Sequence, residues 1–121
     1  MNVLEIACGT GYWTKFISET ATSITASDIN PSVLEIAKLK EYDCKVKIVI
    51  DDIYEPSSST KSFNAGFAGF IWSHIPKDKL DLFLSRFISR TEKGSTVIII
   101  DNEFVEGNSI SPFKKQSMVQ K

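Results

Sequence analysis

A short apolar run that ends in two closely spaced glycines stands near the start of this sequence, where residues 4–14 read LEIACGTGYWT. The run is brief and is bounded by a glycine turn, so it predicts a buried β-strand. A helical pattern that contains Trp13, Phe16 and Ile17 follows at once. A strand, a glycine turn and a helix in this order indicate the first half of a βαβ unit, which belongs to a parallel sheet.

Strand-like and helix-like patterns alternate along the rest of the chain. The five predicted strands read NVLEIA, SITASD, KVKIVID, FNAGFAGFIWS and STVIIID, and the three predicted helices read YWTKFISETA, NPSVLEIAKLKEY and PKDKLDLFLSRFISRTEKG. Asn30 and Pro31 suit the start of the second helix, and Pro76 and Gly94 suit the two ends of the third. Because strands of continuous Val, Ile and Leu are buried on both faces, we expect an α/β fold. It would be a three-layer αβα sandwich with a mostly parallel sheet of about five strands.

Composition excludes several classes of partner. The 14 basic and 15 acidic residues leave no electrostatic footprint for nucleic acid or an anionic membrane surface. No apolar run approaches the roughly 20 residues that span a bilayer, and the amino end lacks the layout of a signal peptide. Cys8 and Cys44 form no C-x-x-C motif, and His74 is the single histidine, so we expect no metal site. We therefore expect a cytoplasmic protein that binds neither nucleic acid nor membranes.

Polar and acidic residues follow the predicted strands at the edge where parallel α/β sheets bind ligands. They are Gly9 and Gly11 after the first strand, Asp28 after the second, Asp51 and Asp52 after the third, and Asp101 after the fifth. Asp28 lies 17 positions after Gly11, near the offset of about 20 residues at which an acid reaches a nucleotide ribose. Its two oxygens suit two adjacent hydroxyls. The alternative is that these acids cap the helices or turns that follow.

Two glycine patterns compete for the first turn. The dinucleotide pattern G-x-G-x-x-G needs a third glycine where Thr14 stands. The other pattern, E/D-x-G-x-G-x-G, marks S-adenosylmethionine (SAM) binding and reads Glu5, Ala7, Gly9 and Gly11 here. An acid inside the strand is not expected beside a phosphate, but it can interact with an ammonium group, often through water. Glu5 therefore favours the second pattern.

With these motifs, residues 3–106 resemble the class I SAM-dependent methyltransferases. VLEIACGTGYWT resembles their first motif, ASDINPSVLEIAK the acidic segment after it, VKIVIDDIYE the adenine-binding segment, and FNAGFAGFIWSHIP the fourth-strand region. The matches are in order and properly spaced. The resemblance implies a Rossmann-like fold, S-adenosyl-L-methionine as cofactor, and methylation of an acceptor, which we expect to be a small molecule.

The resemblance also implies a role for each matching residue. The cofactor-binding residues would be Gly9 and Gly11 at the methionine part, Glu5 at its amino group, Asp28 at the ribose hydroxyls, Ile29 and the Ile53 amide at the adenine ring, Asp52 at the adenine amino group, and Phe70 in the methyl-transfer pocket. Ala7 stands where the family commonly has glycine, so its methyl would narrow the approach to the ligand. Tyr12 follows the glycines directly and would close over the methionine part.

The segment FIWSHIP holds the candidate acceptor-side residues Trp72, Ser73 and His74. Methyl transfer from a sulfonium needs a general base only when the acceptor must lose a proton. His74 is the candidate catalytic base because histidine ordinarily titrates near neutrality. The alternatives are a histidine that hydrogen-bonds backbone before the helix, and a Trp72 that belongs to the core.

The family core usually has seven strands and a helix before the first, whereas five strand patterns are visible here. We expect residues 1–107 to form the SAM-binding core and residues 108–121 a polar tail. On this interpretation the chain is a truncated form, weakly active or inactive alone, whose fifth strand is an apolar edge open to self-association. The alternative function is a non-catalytic SAM-binding module that acts with a partner chain. A nicotinamide-dependent oxidoreductase fragment is disfavoured by Glu5 and Thr14.

Overall fold

A six-stranded sheet forms the centre of the computed structural model, which describes residues 1–55, 63–69, 75–104 and 110–119, with the backbone alone described from residue 101 onward. The strands are β1 (Asn2–Ile6), β2 (Ser23–Asp28), β3 (Lys45–Ile50), β4 (Phe63–Gly69), β5 (Thr91–Phe104) and β6 (Ile110–Val119). The helices are α1 (Tyr12–Ile17), α2 (Pro31–Ala37) and α3 (Leu80–Ser89), with a 3-10 turn at Lys77–Lys79 before α3. None of the described helices has the length and apolarity needed to cross a membrane.

The strand order in the sheet is β3-β2-β1-β4-β5-β6. The pairs among β1 to β5 are parallel, and β6 runs antiparallel to β5. The chain builds outward from β1 on one side through β2 and β3, and then on the other side through β4 and β5. The order therefore reverses beside β1, and such a reversal is where sheets of this kind bind ligands, beyond the carboxyl ends of the strands.

Two apolar cores cover the two faces of the sheet. Successive residues of β1 alternate between them: Val3 belongs to the core that contains Leu34 of α2, and Leu4 to the core that contains Phe83 and Phe87 of α3. This alternation is the consequence of the two-residue period of a strand. The αβα sandwich with a mostly parallel sheet, expected from the sequence, is therefore confirmed.

The expectation of an unpaired edge at β5 is wrong. Residues 110–119 form β6, which pairs with β5 from Thr96↔Val119 to Phe104↔Ile110. This strand lies in the segment that we expected to be a polar tail without regular structure. Its sequence, ISPFKKQSMV, shows no clear alternation and contains Pro112, a composition that an edge strand tolerates because one side of its backbone needs no partner. The division into a core and a tail at residue 107 stays a prediction.

The third helix ends earlier than predicted. We expected it to close at Gly94, but α3 ends at Ser89, and the Thr91 hydroxyl donates a hydrogen bond to the Ile88 carbonyl at 2.8 Å. Gly94 lies instead within β5, at an irregularity of the pairing with β4. There β5 advances from Thr91 to Thr96 while β4 advances only from Phe63 to Ala65. The glycine that suits a helix end in the sequence therefore marks an irregular stretch at the start of β5.

Substitution of Gly66 in β4 tests how tightly the α3 side of the sheet is packed. A β-carbon added at Gly66 would lie 2.9 Å from Cε1 of Phe87, a ring that is 1% exposed. We expect Gly66→Ala to lower the free energy of unfolding by about 1–3 kcal/mol through overpacking. In the double variant with Phe87→Leu the smaller side chain makes room for the added β-carbon. The decrease in the free energy of unfolding should then be smaller than the sum of the decreases in the two single variants. Urea denaturation of the four proteins measures this, and strictly additive losses would contradict it.

Candidate cofactor site

A cavity of about 360 Å³ lies at the carboxyl ends of the first three strands. Its lining residues are Ala7, Asp28, Ile29, Asp51, Asp52, Ile53 and Tyr54. The parallel register explains this grouping, because Ile6 pairs with Ser27 and Asp28 pairs with Ile50. The residue that follows each strand therefore reaches the same edge of the sheet. Five of the predicted cofactor-binding residues line this cavity: Ala7, Asp28, Ile29, Asp52 and Ile53.

The Asp28 carboxylate joins the loops that follow β1 and β2. Its Oδ2 accepts a hydrogen bond from the Gly9 amide at 3.0 Å, and its Oδ1 accepts one from the Asn30 amide at 3.0 Å. The helix-capping role considered for this acid belongs to Asn30, whose side chain accepts a bond from the Ser32 amide. A carboxylate has about four acceptor positions, so both oxygens of Asp28 can still accept ligand hydroxyls.

The two glycines of the first turn differ in what surrounds them. Both have a positive φ, +57° at Gly9 and +91° at Gly11, which L side chains rarely adopt. A β-carbon added at Gly11 would collide with the hydroxyl of Tyr42, which itself donates to the Ala37 carbonyl at 2.6 Å. A β-carbon added at Gly9 would meet nothing within 4 Å. A side chain at Gly11 would therefore displace Tyr42 in addition to straining the backbone, whereas Gly9 has open space beside it.

Ala7 has the backbone conformation of a glycine. Its φ is +56°, and it is half-buried at the cavity wall. An alanine in this region costs roughly 1–2 kcal/mol relative to the right-handed conformation. The family's usual glycine at this position therefore has a backbone reason as well as the steric reason considered from the sequence.

Glu5 lies beneath the turn and does not line the cavity. It is 2% exposed, and its Oε1 accepts a hydrogen bond from the Thr14 hydroxyl. Burial raises the pKa of this carboxyl from its ordinary value of 4.5 to about 7, and the bond from Thr14 opposes that rise. Thr14, which the sequence offered only as evidence against a dinucleotide site, is thus the partner of Glu5. The pairing of Thr14 with Glu5 could have been predicted from the position of Thr14 in the first turn of α1, directly after the glycine turn.

Cys8 is buried close to two acids, Glu5 and Asp28. Burial raises the pKa of its thiol to about 12, and the nearby negative charges of Glu5 and Asp28 add to the rise. Since the thiolate is the reactive form, this rise disfavours a nucleophilic role for Cys8 at neutral pH.

Residues 51–54 form the opposite wall of the cavity and include two residues that sequence reasoning did not assign to the site, Asp51 and Tyr54. Asp51 forms a buried ion pair with Arg90, with 3.1 Å between Oδ2 and Nη1. Asp52 accepts a hydrogen bond from the Tyr54 amide at 2.9 Å, which closes a local turn. Nothing in the local pattern marks Asp51 as the paired acid and Asp52 as the accessible one, because Arg90 is distant in sequence.

Tyr12 lies away from the cavity that Asp28 lines. It is 57% exposed and packs edge-to-face against Phe16, with ring centroids 5.3 Å apart. Together with Lys15, Lys40 and Glu41 these rings line a second cavity of about 330 Å³. Phe16 is 51% exposed, so the short helix α1 presents this ring to solvent.

Phe70, Trp72, Ser73 and His74 lie outside the described residues, so their predicted roles stay predictions. Within the part of the chain that the structure describes, no group of three or more histidine, cysteine, aspartate or glutamate residues is placed to hold a metal ion.

Comparison with known proteins agrees with this fold. The family described as "Methyltransferase domain" matches residues 3–94 of the chain. This match covers the glycine turn, Asp28, residues 51–54 and the whole of α3. The chain therefore belongs to the methyltransferase domain family.

Individual relatives give the same result. The chain is 39% identical over 57 residues to malonyl-[acyl-carrier protein] O-methyltransferase of Priestia megaterium, and 32% identical over 80 residues to demethylmenaquinone methyltransferase of Staphylococcus aureus. These alignments cover 46% and 63% of this chain. A solved complex of DhpI with SAM and HEP superposes with a TM-score of 0.79 at 28% identity over 87% of the chain. The chain spans 21% and 33% of the two curated relatives and 48% of DhpI.

The raised pKa of Glu5 predicts a specific dependence of stability on pH. Because the folded chain holds this proton more tightly than the unfolded chain, the free energy of unfolding should fall as pH rises from about 4.5 to about 7. The fall attributable to Glu5 is on the order of 3 kcal/mol. We expect Glu5→Gln to abolish this part of the pH dependence in urea denaturation. Glu19→Gln, at an exposed position, is the matched control. A Glu5→Gln protein that shows the parent's full pH dependence would contradict this assignment.

The two glycines should respond differently to the same substitution. Gly11→Ala adds a collision with Tyr42 to the strain of a positive φ, so we expect a loss of stability of about 2–4 kcal/mol. Gly9→Ala adds the strain alone, with an expected loss of about 1 kcal/mol. Removing the hydroxyl with Tyr42→Phe should recover part of the Gly11→Ala loss. Equal losses for the two alanine variants in urea denaturation would show that the collision is absent.

Proposed function

We propose that this chain binds SAM in the cavity at the ends of β1, β2 and β3, and that it transfers the methyl group of SAM to a small-molecule acceptor. The observation that supports this best is the Asp28 carboxylate, oriented by two backbone amides at the cavity wall. The volume of the cavity, about 360 Å³, is within the range of roughly 300–1,000 Å³ typical of small-molecule sites.

The nucleoside part of the cofactor fits the residues that line the cavity. Asp28 would accept hydrogen bonds from the two ribose hydroxyls with its remaining acceptor positions. Ile29 is 63% exposed and Ile53 is half-buried, so the adenine ring would cover apolar surface that is otherwise open to water. Asp52 would accept the bond from the adenine amino group with the carboxylate capacity that the Tyr54 amide does not use.

The methionine part would lie over the glycine turn. Gly9 has the open space that such an approach needs. Glu5 would act on the ammonium group from below, through water, because it is itself almost fully buried. A bound cation stabilises the ionised carboxylate, so cofactor binding would lower the pKa of Glu5 from about 7.

SAM supplies a methyl group that the sulfonium already activates. The chain therefore has chiefly to hold the acceptor atom close to that methyl group and to exclude water from the site. Good positioning contributes several kcal/mol, and up to about 7–11 in ideal intramolecular reactions. In this proposal Phe70 lines the transfer pocket and His74 accepts a proton where the acceptor must lose one.

A small-molecule acceptor is supported by the names of relatives, which refer to malonyl-[acyl-carrier protein] and demethylmenaquinone. These two acceptors differ from each other, so we propose the class of acceptor and no single compound. A cytoplasmic location belongs to the same proposal and is supported by the free thiols of Cys8 and Cys44. Self-association through the edge of β5 is not proposed, because β6 pairs with that edge.

The second candidate is a SAM-binding module that acts with a partner chain. The described lining of the cavity supports cofactor binding, which this candidate shares with the enzyme. The two candidates share the cofactor site and differ in turnover. Formation of S-adenosylhomocysteine in the presence of candidate acceptors would support the enzyme, and SAM binding without it would support the module.

Calorimetric titration with SAM tests the shared part of both candidates. Asp28→Asn keeps the size of the side chain but removes one acceptor oxygen and the charge, so we expect SAM affinity to fall about ten- to hundredfold. Asp43→Asn, at an exposed position remote from the cavity lining, should bind like the parent. Thermal unfolding without ligand checks that each variant is folded. If folded Asp28→Asn binds SAM as tightly as the parent, the site assignment fails.

A further inference from the structure

Arg86 of α3 and Arg90, the residue that follows the last residue of α3, both reach residues 51–54, which we call the adenine wall. Arg90 pairs with the carboxylate of Asp51 at 3.1 Å, at the β3 end of the wall. Arg86 donates from Nε to the backbone carbonyl of Tyr54 at 3.1 Å, at the far end. Residues four apart on a helix lie on the same face, and Arg90 caps the carboxyl end of α3, so both ends of the wall are held from one side of this helix end.

The adenine wall has little regular structure of its own. It belongs to no helix or strand. Its backbone also takes part in bonds from the Asp51 amide to the Asp28 carbonyl at 3.1 Å and from the Glu55 amide to the Asp52 carbonyl at 3.1 Å, and in the turn that the Asp52 side chain closes. The side chains of Ile53 and Tyr54 pack against the core on the α3 side of the sheet. A loop of this kind takes its conformation from the rigid elements that contact it.

The helix α3, which contains Arg86 and is followed by Arg90, is packed firmly into the core. Phe83 and Phe87, from the same helix, are 0% and 1% exposed in the core between α3 and the sheet. Arg90 itself is buried, and Arg86 is exposed. Neither arginine is among the described residues that line the cavity, so neither is placed to contact the ligand there.

From this arrangement we propose that Arg86 and Arg90 are positioning residues: they clamp the adenine wall so that Asp52 and Ile53 face the cavity in the conformation that binds the cofactor. This inference rests on the proposed SAM site. Arg90 neutralises Asp51, which leaves Asp52 as the wall's acid for the ligand. Arg86 fixes the other end of the wall through its bond to the Tyr54 carbonyl, since Tyr54 is the last residue of the wall that lines the cavity.

Arg86→Ala is the decisive variant because its side chain is exposed and its loss leaves no buried charge. The bond to Tyr54 corresponds to roughly a two- to tenfold change in an equilibrium constant, and we expect SAM affinity to fall by that factor. The free energy of unfolding should stay within the scatter of a surface substitution. Amides of residues 52–55 should exchange with deuterium faster in the ligand-free variant, while those of β1 and β2 keep the parent's rates. A merely structural role for Arg86 would not produce this local pattern.

Two controls separate the clamp from other effects. Ser85→Ala, the exposed neighbour on α3, should leave SAM affinity and amide exchange unchanged. Arg86→Lys keeps the positive charge and a donor, so it should recover part of the affinity lost in Arg86→Ala. This control also addresses electrostatics, since loss of a cation by itself favours binding of a cationic ligand.

The outcomes distinguish the clamp from the proposed function. If the parent chain does not bind SAM, the proposed function fails, and this inference fails with it. If the parent binds SAM and Arg86→Ala binds equally well with unchanged exchange at residues 52–55, the clamp alone is overturned. Faster local exchange together with weaker binding supports it.

Discussion

The site depends on one carboxylate that holds two loops together. Asp28 accepts one hydrogen bond from the turn after β1 and one from the start of the segment before α2. The central strand and its neighbour therefore end in a single hydrogen-bonded unit. The glycine turn, the start of α2 and the adjacent residues 51–54 take their positions relative to this unit. Without the carboxylate, the Gly9 and Asn30 amides would lose these partners, and the cavity would lose one of the acids that line it.

Negative charge is concentrated at this edge of the sheet, and the described structure balances only part of it. Asp51 is neutralised by Arg90, whereas Asp28 and Asp52 accept bonds from backbone amides. Burial raises the pKa values of Glu5 and Cys8, and the negative charges of Glu5 and Asp28 raise the pKa of Cys8 further. A ligand with a sulfonium and an ammonium complements such an edge better than an anionic dinucleotide would. The distribution of charge thus favours the same class of ligand as Glu5, the acid within β1.

The residues that could be predicted from the sequence are those whose role follows from local pattern. The apolar runs predicted β1 to β5, and Asn30 and Pro31 predicted the start of α2. Asp28 and Asp52 could be predicted to lie close together because they stand at the carboxyl ends of neighbouring parallel strands, and both line one cavity. The features that were missed depend on partners distant in sequence. Asp51 differs from Asp52 because it pairs with Arg90, and Gly94 lies in a strand because β5 pairs with β4. Residues 110–119 form a strand because they pair with β5. Glu5 was predicted as an acid of the site, but its burial beneath the turn follows from α1, through Thr14.

The antiparallel pairing of β5 with β6 also has a consequence for the order of events in refolding. Only residues 105–109 separate β5, which ends at Phe104, from β6, which begins at Ile110. The entropic cost of bringing two segments together grows with the length of chain between them. The parallel pairs of the sheet are joined by longer crossovers. We therefore expect β5 and β6 to pair early, so that the edge of β5 is already covered when the parallel strands assemble beside it.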